Sequence, residues 1–154
     1  MSPPLSQPTY PPQRMLYLAE PPAHYMARPP VVVDCSALAG VLFQEPWHEQ
    51  ATERIQGRTL NAPYLLQAEV ASVALKKHRQ GFAQVVTDGL AQYETLEIEF
   101  HRVAPAQALA LALRYKLSAY DAAYLWLAAE LKAPLATFDE KLAAAAQTHL
   151  ASLP

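Results

Sequence analysis

Cysteine, glycine and charge are all scarce in this chain of 154 residues. Its one cysteine, Cys35, excludes an internal disulfide framework and a cysteine-rich zinc site, and suits a reducing cytoplasm. The four glycines, Gly40, Gly57, Gly81 and Gly89, form no phosphate-cradling turn, which argues against a dinucleotide-binding protein. Charged residues make up 17% and the formal net charge is −2, so the chain is no bulk nucleic-acid coat, and any such contact must be local. No apolar stretch approaches the ~20 residues that cross a bilayer. The first thirty residues contain no continuous apolar core of a signal peptide. The five histidines, His24, His48, His78, His101 and His149, are dispersed and show no metal-ligand spacing with Cys35.

Apolar residues are plentiful at 52%, and the length is that of one domain with a real core. Composition breaks near residue 30. Nine of the fourteen prolines lie before it, interleaved with Tyr10, Met15, Tyr17 and Tyr25. Residues 1–30 therefore read as a Pro-rich N-terminal extension, a tail or a packed arm, and residues 31–154 as the folded domain.

From residue 31 strands alternate with helices. Val31-Val32-Val33 reads as a buried parallel strand, followed by a helix over 35–43 and a polar one over 48–56. A short strand over 59–62 precedes a long helix that Pro63 is expected to open and Gly81 to close. A helix over 82–93 leads to the alternating Leu96–Phe100, an edge strand. Helices from Pro105 and Ser118, a strand over 134–137 and an Ala-rich helix from Asp139 complete the chain. The alternation implies βαβ crossovers and a parallel sheet with helices on both faces, whose ligands bind outside the carboxyl ends of the strands.

Four acids are expected at that edge. Asp34 follows the first strand, Asp139 follows the last, and Glu69 and Asp121 lie in the opening turns of helices. Each also has a purely structural reading. Asp34 can end a strand or cap a helix, Asp139 can be an N-cap, and Glu69 can be a surface residue. Asp121 can complete a Ser118-x-x-Asp capping box. Clustered carboxylates repel one another and call for a counter-charge, and an all-oxygen site suits Mg²⁺ or Mn²⁺.

The ordered set Val-Val-Val-Asp34-Cys-Ser36, Pro63-Tyr-Leu-Leu-Gln-Ala-Glu69, Leu117-Ser118-Ala-Tyr-Asp121 and Ala136-Thr137-Phe-Asp139 resembles the PIN domain, and within it the VapC-type toxin ribonucleases. The match runs over roughly residues 31–146. It singles out these acids over others such as Glu45 or Glu130. The resemblance implies a three-layer α/β/α sandwich with a central parallel sheet, and Mg²⁺- or Mn²⁺-dependent cleavage of RNA. Asp34, Glu69, Asp121 and Asp139 fall on the family's acidic positions, and Ser36 and Thr137 on its hydroxyl positions beside the metal. It also implies a homodimer and a cognate antitoxin. The apolar face of Leu65, Leu66, Val70 and Val73, with the 82–93 helix, is the surface considered for these partners. Two departures stand out: the family's short final strand has little chain left after His149, and the Pro-rich extension is outside the pattern.

Metal-activated water implies products with 5′-phosphate and 3′-hydroxyl ends, since the ribose 2′-OH is not the nucleophile. Asp34, Asp121 and Asp139 are the expected metal ligands, with Glu69 either a ligand or the orienter of water. The cations Lys76-Lys77-His78-Arg79 read as complements to a helix dipole, away from the acidic edge. The runner-up function is a non-catalytic PIN-like module that binds RNA or protein. A haloacid-dehalogenase-type phosphatase is disfavoured because Ser36 stands where Asp-x-Asp needs its second acid, and a phospho-receiver lacks its acidic pair and lysine.

Overall fold

The computed structural model describes Ala19 and residues 28–154. Expectations for the remainder of the Pro-rich extension, and for His24, lie outside the described residues. Four strands and seven helices follow one another among those described. β1 (Pro30–Val33) leads to α1 (Cys35–Leu42) and α2 (His48–Ile55), and β2 (Thr59–Pro63) to α3 (Leu65–Arg79) and α4 (Ala83–Tyr93). β3 (Ile98–His101) precedes α5 (Pro105–Tyr115) and α6 (Ala119–Leu131), and β4 (Leu135–Ala136) precedes α7 (Glu140–Ala151).

The sheet is wholly parallel in the order β3-β2-β1-β4, with Val31 opposite Leu60 and Val33 opposite Ala136. β1 is central, and Val31, Val32 and Val33 are buried on both faces, which is why the run is apolar without alternation. On one face α6 packs across β1 and β2, flanked by α5 and α7; α1, α3 and α4 pack together on the other. The result is the expected three-layer α/β/α sandwich. Tyr124, Leu125 and Leu127 of α6, Leu38 and Phe43 beside α1, and Leu142 of α7 fill its core.

Pro63 ends β2 rather than opening α3. It takes the last rung opposite His101, beyond the point where the ladder to β1 ends at Asn61, so its missing N–H breaks no central hydrogen bond. β3 is an edge strand as expected, but starts two residues late. A turn in which the Leu96 amide donates to the Tyr93 carbonyl, and the Thr95 hydroxyl to the Gln92 carbonyl, holds Leu96 outside the ladder. β4 has two residues, and no strand follows α7 among the described residues. No helix of the described residues is long and apolar enough to cross a membrane.

Candidate active site

Asp34 sits where β1 turns into α1 and is buried at 5% exposure. It caps the helix: Oδ1 accepts from the Ala37 amide at 2.9 Å and from the Ser36 hydroxyl at 2.7 Å. Thr137, just past β4, donates its hydroxyl to Asp34 Oδ2. The same two hydroxyls then accept: Ser36 Oγ from the Phe138 amide at 2.8 Å, and Thr137 Oγ1 from the Asp139 amide at 3.0 Å. Two side chains expected beside the acids thus stitch the β1–α1 turn to the β4–α7 turn, with each hydroxyl both donating and accepting.

The other acids rim this turn. Asp139 is the N-cap of α7, and its Oδ1 accepts from the Leu142 amide at 2.8 Å. Ser118 is the N-cap of α6 and accepts from the Asp121 amide at 3.1 Å. The reciprocal bond of a capping box, from the Ser118 amide to the Asp121 carboxylate, is not formed among the described residues, so a capping box does not account for that carboxylate. Glu69, half-buried in α3, accepts from the Tyr124 hydroxyl at 2.6 Å.

Burial pushes the Asp34 carboxyl above the usual range, and the charge of Asp121 adds to this against the lowering bonds from Thr137, Ala37 and Ser36. Glu69 is raised by burial and by Asp34 and Asp121, with Tyr124 opposing. Asp121 is raised by burial and then by Asp139, with Ser118 and Lys141 opposing. The four acids therefore sense one another across the edge. Among the described residues none of the four is ion-paired with a base, and no three His, Cys, Asp or Glu side chains are already clustered tightly enough to cage a metal. The donor set still fits a hard cation: its oxygens are anionic, close enough to repel, and short of positive charge. Nothing softer competes among the described residues. Cys35 has its thiol pushed up to about 12 by burial and by Glu69 and Asp34, so it stays protonated. His48, His101 and His149 bond to Gly40, Asn61 and Tyr115, not to the acids.

Comparison with known proteins places the chain. The PIN domain model matches residues 31–147. The chain belongs to the PIN domain family. Within it, the chain is 31% identical over 120 residues to Ribonuclease VapC3 of Pyrobaculum aerophilum, covering 73% of this chain and 92% of the relative. It is 32% identical over 122 residues to Ribonuclease VapC9 of Mycobacterium tuberculosis, covering 77% and 93%. The PIN fold is also that of solved structures. PAE2754 of P. aerophilum superposes with a TM-score of 0.57 at 22% identity, covering 80% of this chain and 88% of that one. VapC20 of M. tuberculosis, described as a sarcin-ricin loop cleaving toxin, superposes at 0.56 with 16% identity, covering 75% and 94%.

Three features of this PIN domain's edge escaped the sequence reading. Tyr124, buried at 1% exposure, reads as core in an Ala- and Leu-rich helix, yet its hydroxyl orients Glu69 from 55 residues away. Trp47 donates its indole N–H to the Ser36 carbonyl at 3.3 Å and packs on Phe138 at 5.7 Å. Gly40 makes room for it: a Cβ there would meet the Trp47 ring at 2.6 Å. Lys76 and Lys77 share a cleft with Ser36 and Glu69, so these cations are not remote from the acids. The spacing Glu69, Ser72, Val73, Lys76 was the available signal, one helical stripe.

Proposed function

We propose that this PIN domain is a divalent-metal-dependent endoribonuclease, the toxin of a toxin–antitoxin pair acting in the cytoplasm. The observation that carries the reading is the buried Asp34 carboxyl, raised by burial and by the charge of Asp121, with no basic partner among the described residues. The VapC ribonucleases that it resembles support the substrate class. All four acid positions are filled, and nothing favours a non-catalytic module.

Asp34, Asp121 and Asp139 would hold Mg²⁺ or Mn²⁺, directly or through water, which when bound supplies charge for the phosphate and a water of lowered pKa. Ser36 and Thr137 fix both oxygens of Asp34, so the ligand is oriented before any cation arrives. Glu69, steadied by Tyr124, either completes the ligand set or accepts a proton from the attacking water. Mapping the ends of cleaved RNA tests this: 5′-phosphates and 3′-hydroxyls are expected, whereas 2′,3′-cyclic phosphates would show attack by the ribose.

The partners follow from the surface. Leu66 and Val70 are buried in the core, so the α3 face considered for partners is largely consumed by packing. Apolar surface remains at Phe82 and Leu90 of the 82–93 helix, but is most exposed on α5 and α6: Leu109 is 57% exposed, Leu113 72% and Tyr120 68%, with Tyr64 nearby at 53%. A homodimer through this face buries it. The antitoxin is a separate partner, which a small neighbouring reading frame would identify.

A further inference from the structure

We propose that the cleft between α1 and α3 binds the RNA backbone flanking the scissile bond, with Lys76 holding a phosphate there; this rests on the nuclease reading and names how its substrate is gripped. The cleft encloses about 540 Å³ and is lined by Ser36 and Trp47 on one side and by Glu69, Ser72 and Lys76 on the other. Glu69 and Lys76 are seven residues apart on α3, so Lys76 stands about 10 Å along the axis from the acid, on the same stripe. The cleft thus has an anionic end, where the scissile phosphate needs a metal, and a cationic end, where a phosphate needs none.

The two lysines of the cleft differ. Lys77 is spent on structure: its Nζ is 2.7 Å from Glu45 and lies over the Phe82 ring at 5.7 Å. Lys76 is exposed and, among the described residues, has no ion pair. Complementing the dipole accounts for cations anywhere in the last turn of α3, but not for one on the stripe that faces the cleft. Ser72 and Gln80 add donors along the same wall. Trp47 is fixed opposite by its hydrogen bond to the Ser36 carbonyl and its packing on Phe138, and gives that wall an apolar surface. A row of donors that includes Lys76, unpaired among the described residues, and that opens onto the acids, matches a strand whose successive phosphates accept hydrogen bonds.

The test is fluorescence anisotropy of the full chain with a short labelled single-stranded RNA of mixed sequence. It is run in Ca²⁺, which takes all-oxygen sites with looser geometry, over a series of salt concentrations. Lys76→Ala should bind several-fold more weakly, and the slope of log affinity against log salt should flatten by about 0.7, one phosphate contact on a single strand. Lys76→Arg should restore both. Lys132→Ala, the same charge loss at the exposed C-cap of α6, should leave both unchanged. Wild-type affinity and slope in Lys76→Ala would overturn the proposal and leave the cleft to another ligand, such as an acidic peptide. An equal loss in Lys132→Ala would overturn it as mere net charge. A Lys76-dependent slope in a protein that cleaves no RNA in Mg²⁺ or Mn²⁺ would refute the nuclease reading and uphold the cleft.

Discussion

The Tyr124 hydroxyl donates to Glu69 Oε1 at 2.6 Å, joining α6 to α3 across the acidic edge. Its donation lowers the Glu69 pKa against the raising effects of burial, Asp34 and Asp121. Tyr124→Phe removes the donor and keeps the ring in the core. Glu69 then protonates at a higher pH, so the acid limb of the kcat/KM profile should move up in pH, with little change on the alkaline side. The fold should lose about 1.5–3 kcal/mol, the worth of one hydrogen bond to a carboxylate. An unmoved acid limb would mean that Glu69 does not act as an ionised group.

Asp121 separates a binding role from a capping role. Its pKa is raised by burial and by Asp139, so its ionisation costs stability: the contribution is favourable below the ordinary Asp value and lost as pH rises through the raised one. Metal-free Asp121→Asn should therefore melt at or above the wild type near neutral pH. Mg²⁺ or Mn²⁺ should stabilise it less, and RNA cleavage should nearly vanish. Ser118→Ala is the contrast: it removes the N-cap acceptor, costs about 0.5–2 kcal/mol, and should reduce activity far less than Asp121→Asn does. A variant Asp121→Asn that melts lower yet cleaves and answers metal as the wild type does would return Asp121 to the helix cap.

Leu113, at 72% exposure, is the most exposed of the large apolar side chains among the described residues. In an isolated subunit Leu113→Glu costs almost nothing. In a dimer through α5 and α6 it buries two charges, so sedimentation should change from dimer to monomer with the melting curve of the subunit retained. A mass that matches the wild-type dimer would move the interface elsewhere.

A shortened chain beginning at Ala27 should fold and retain metal-dependent cleavage. Arg28 and Pro29 stay in it, and their carbonyls accept from Thr59 at the start of the β1–β2 ladder. Loss of soluble protein would give the Pro-rich extension a structural role.

Features written in adjacent residues were the legible ones. Val31–Val33 followed by an acid announces a buried strand end, and Ser118 and Asp139 announce helix starts. The acids were harder. Asp34 is at once a cap and a site candidate, since Ala37 and Ser36 occupy Oδ1 while Oδ2, which accepts from Thr137, still has a lone pair to give. Pro63 misled because its fixed φ suits a strand end as well as a first helical turn. Tyr124, Trp47 and Lys76 were not legible as site residues because their meaning lies in contacts across the sheet edge, which periodicity cannot report. The apolar surplus is legible only in part: the 82–93 helix exposes Phe82 and Leu90, whereas Leu66 and Val70 of α3 are buried. Leu66 and Val70 look alike to Leu109 and Leu113 in sequence, and only packing decides which pair meets solvent.

Cleavage with and without a chelator tests the central claim most directly. The full chain is incubated with mixed RNA in Mg²⁺ or Mn²⁺, in EDTA, and in EDTA followed by excess metal, alongside Asp34→Asn, which keeps the shape of the α1 cap but gives up one anionic oxygen. The account predicts cleavage by the wild type with metal, none in EDTA, recovery on re-addition, and near-absence throughout in Asp34→Asn. Equal cleavage by the wild type with metal and in EDTA would contradict it.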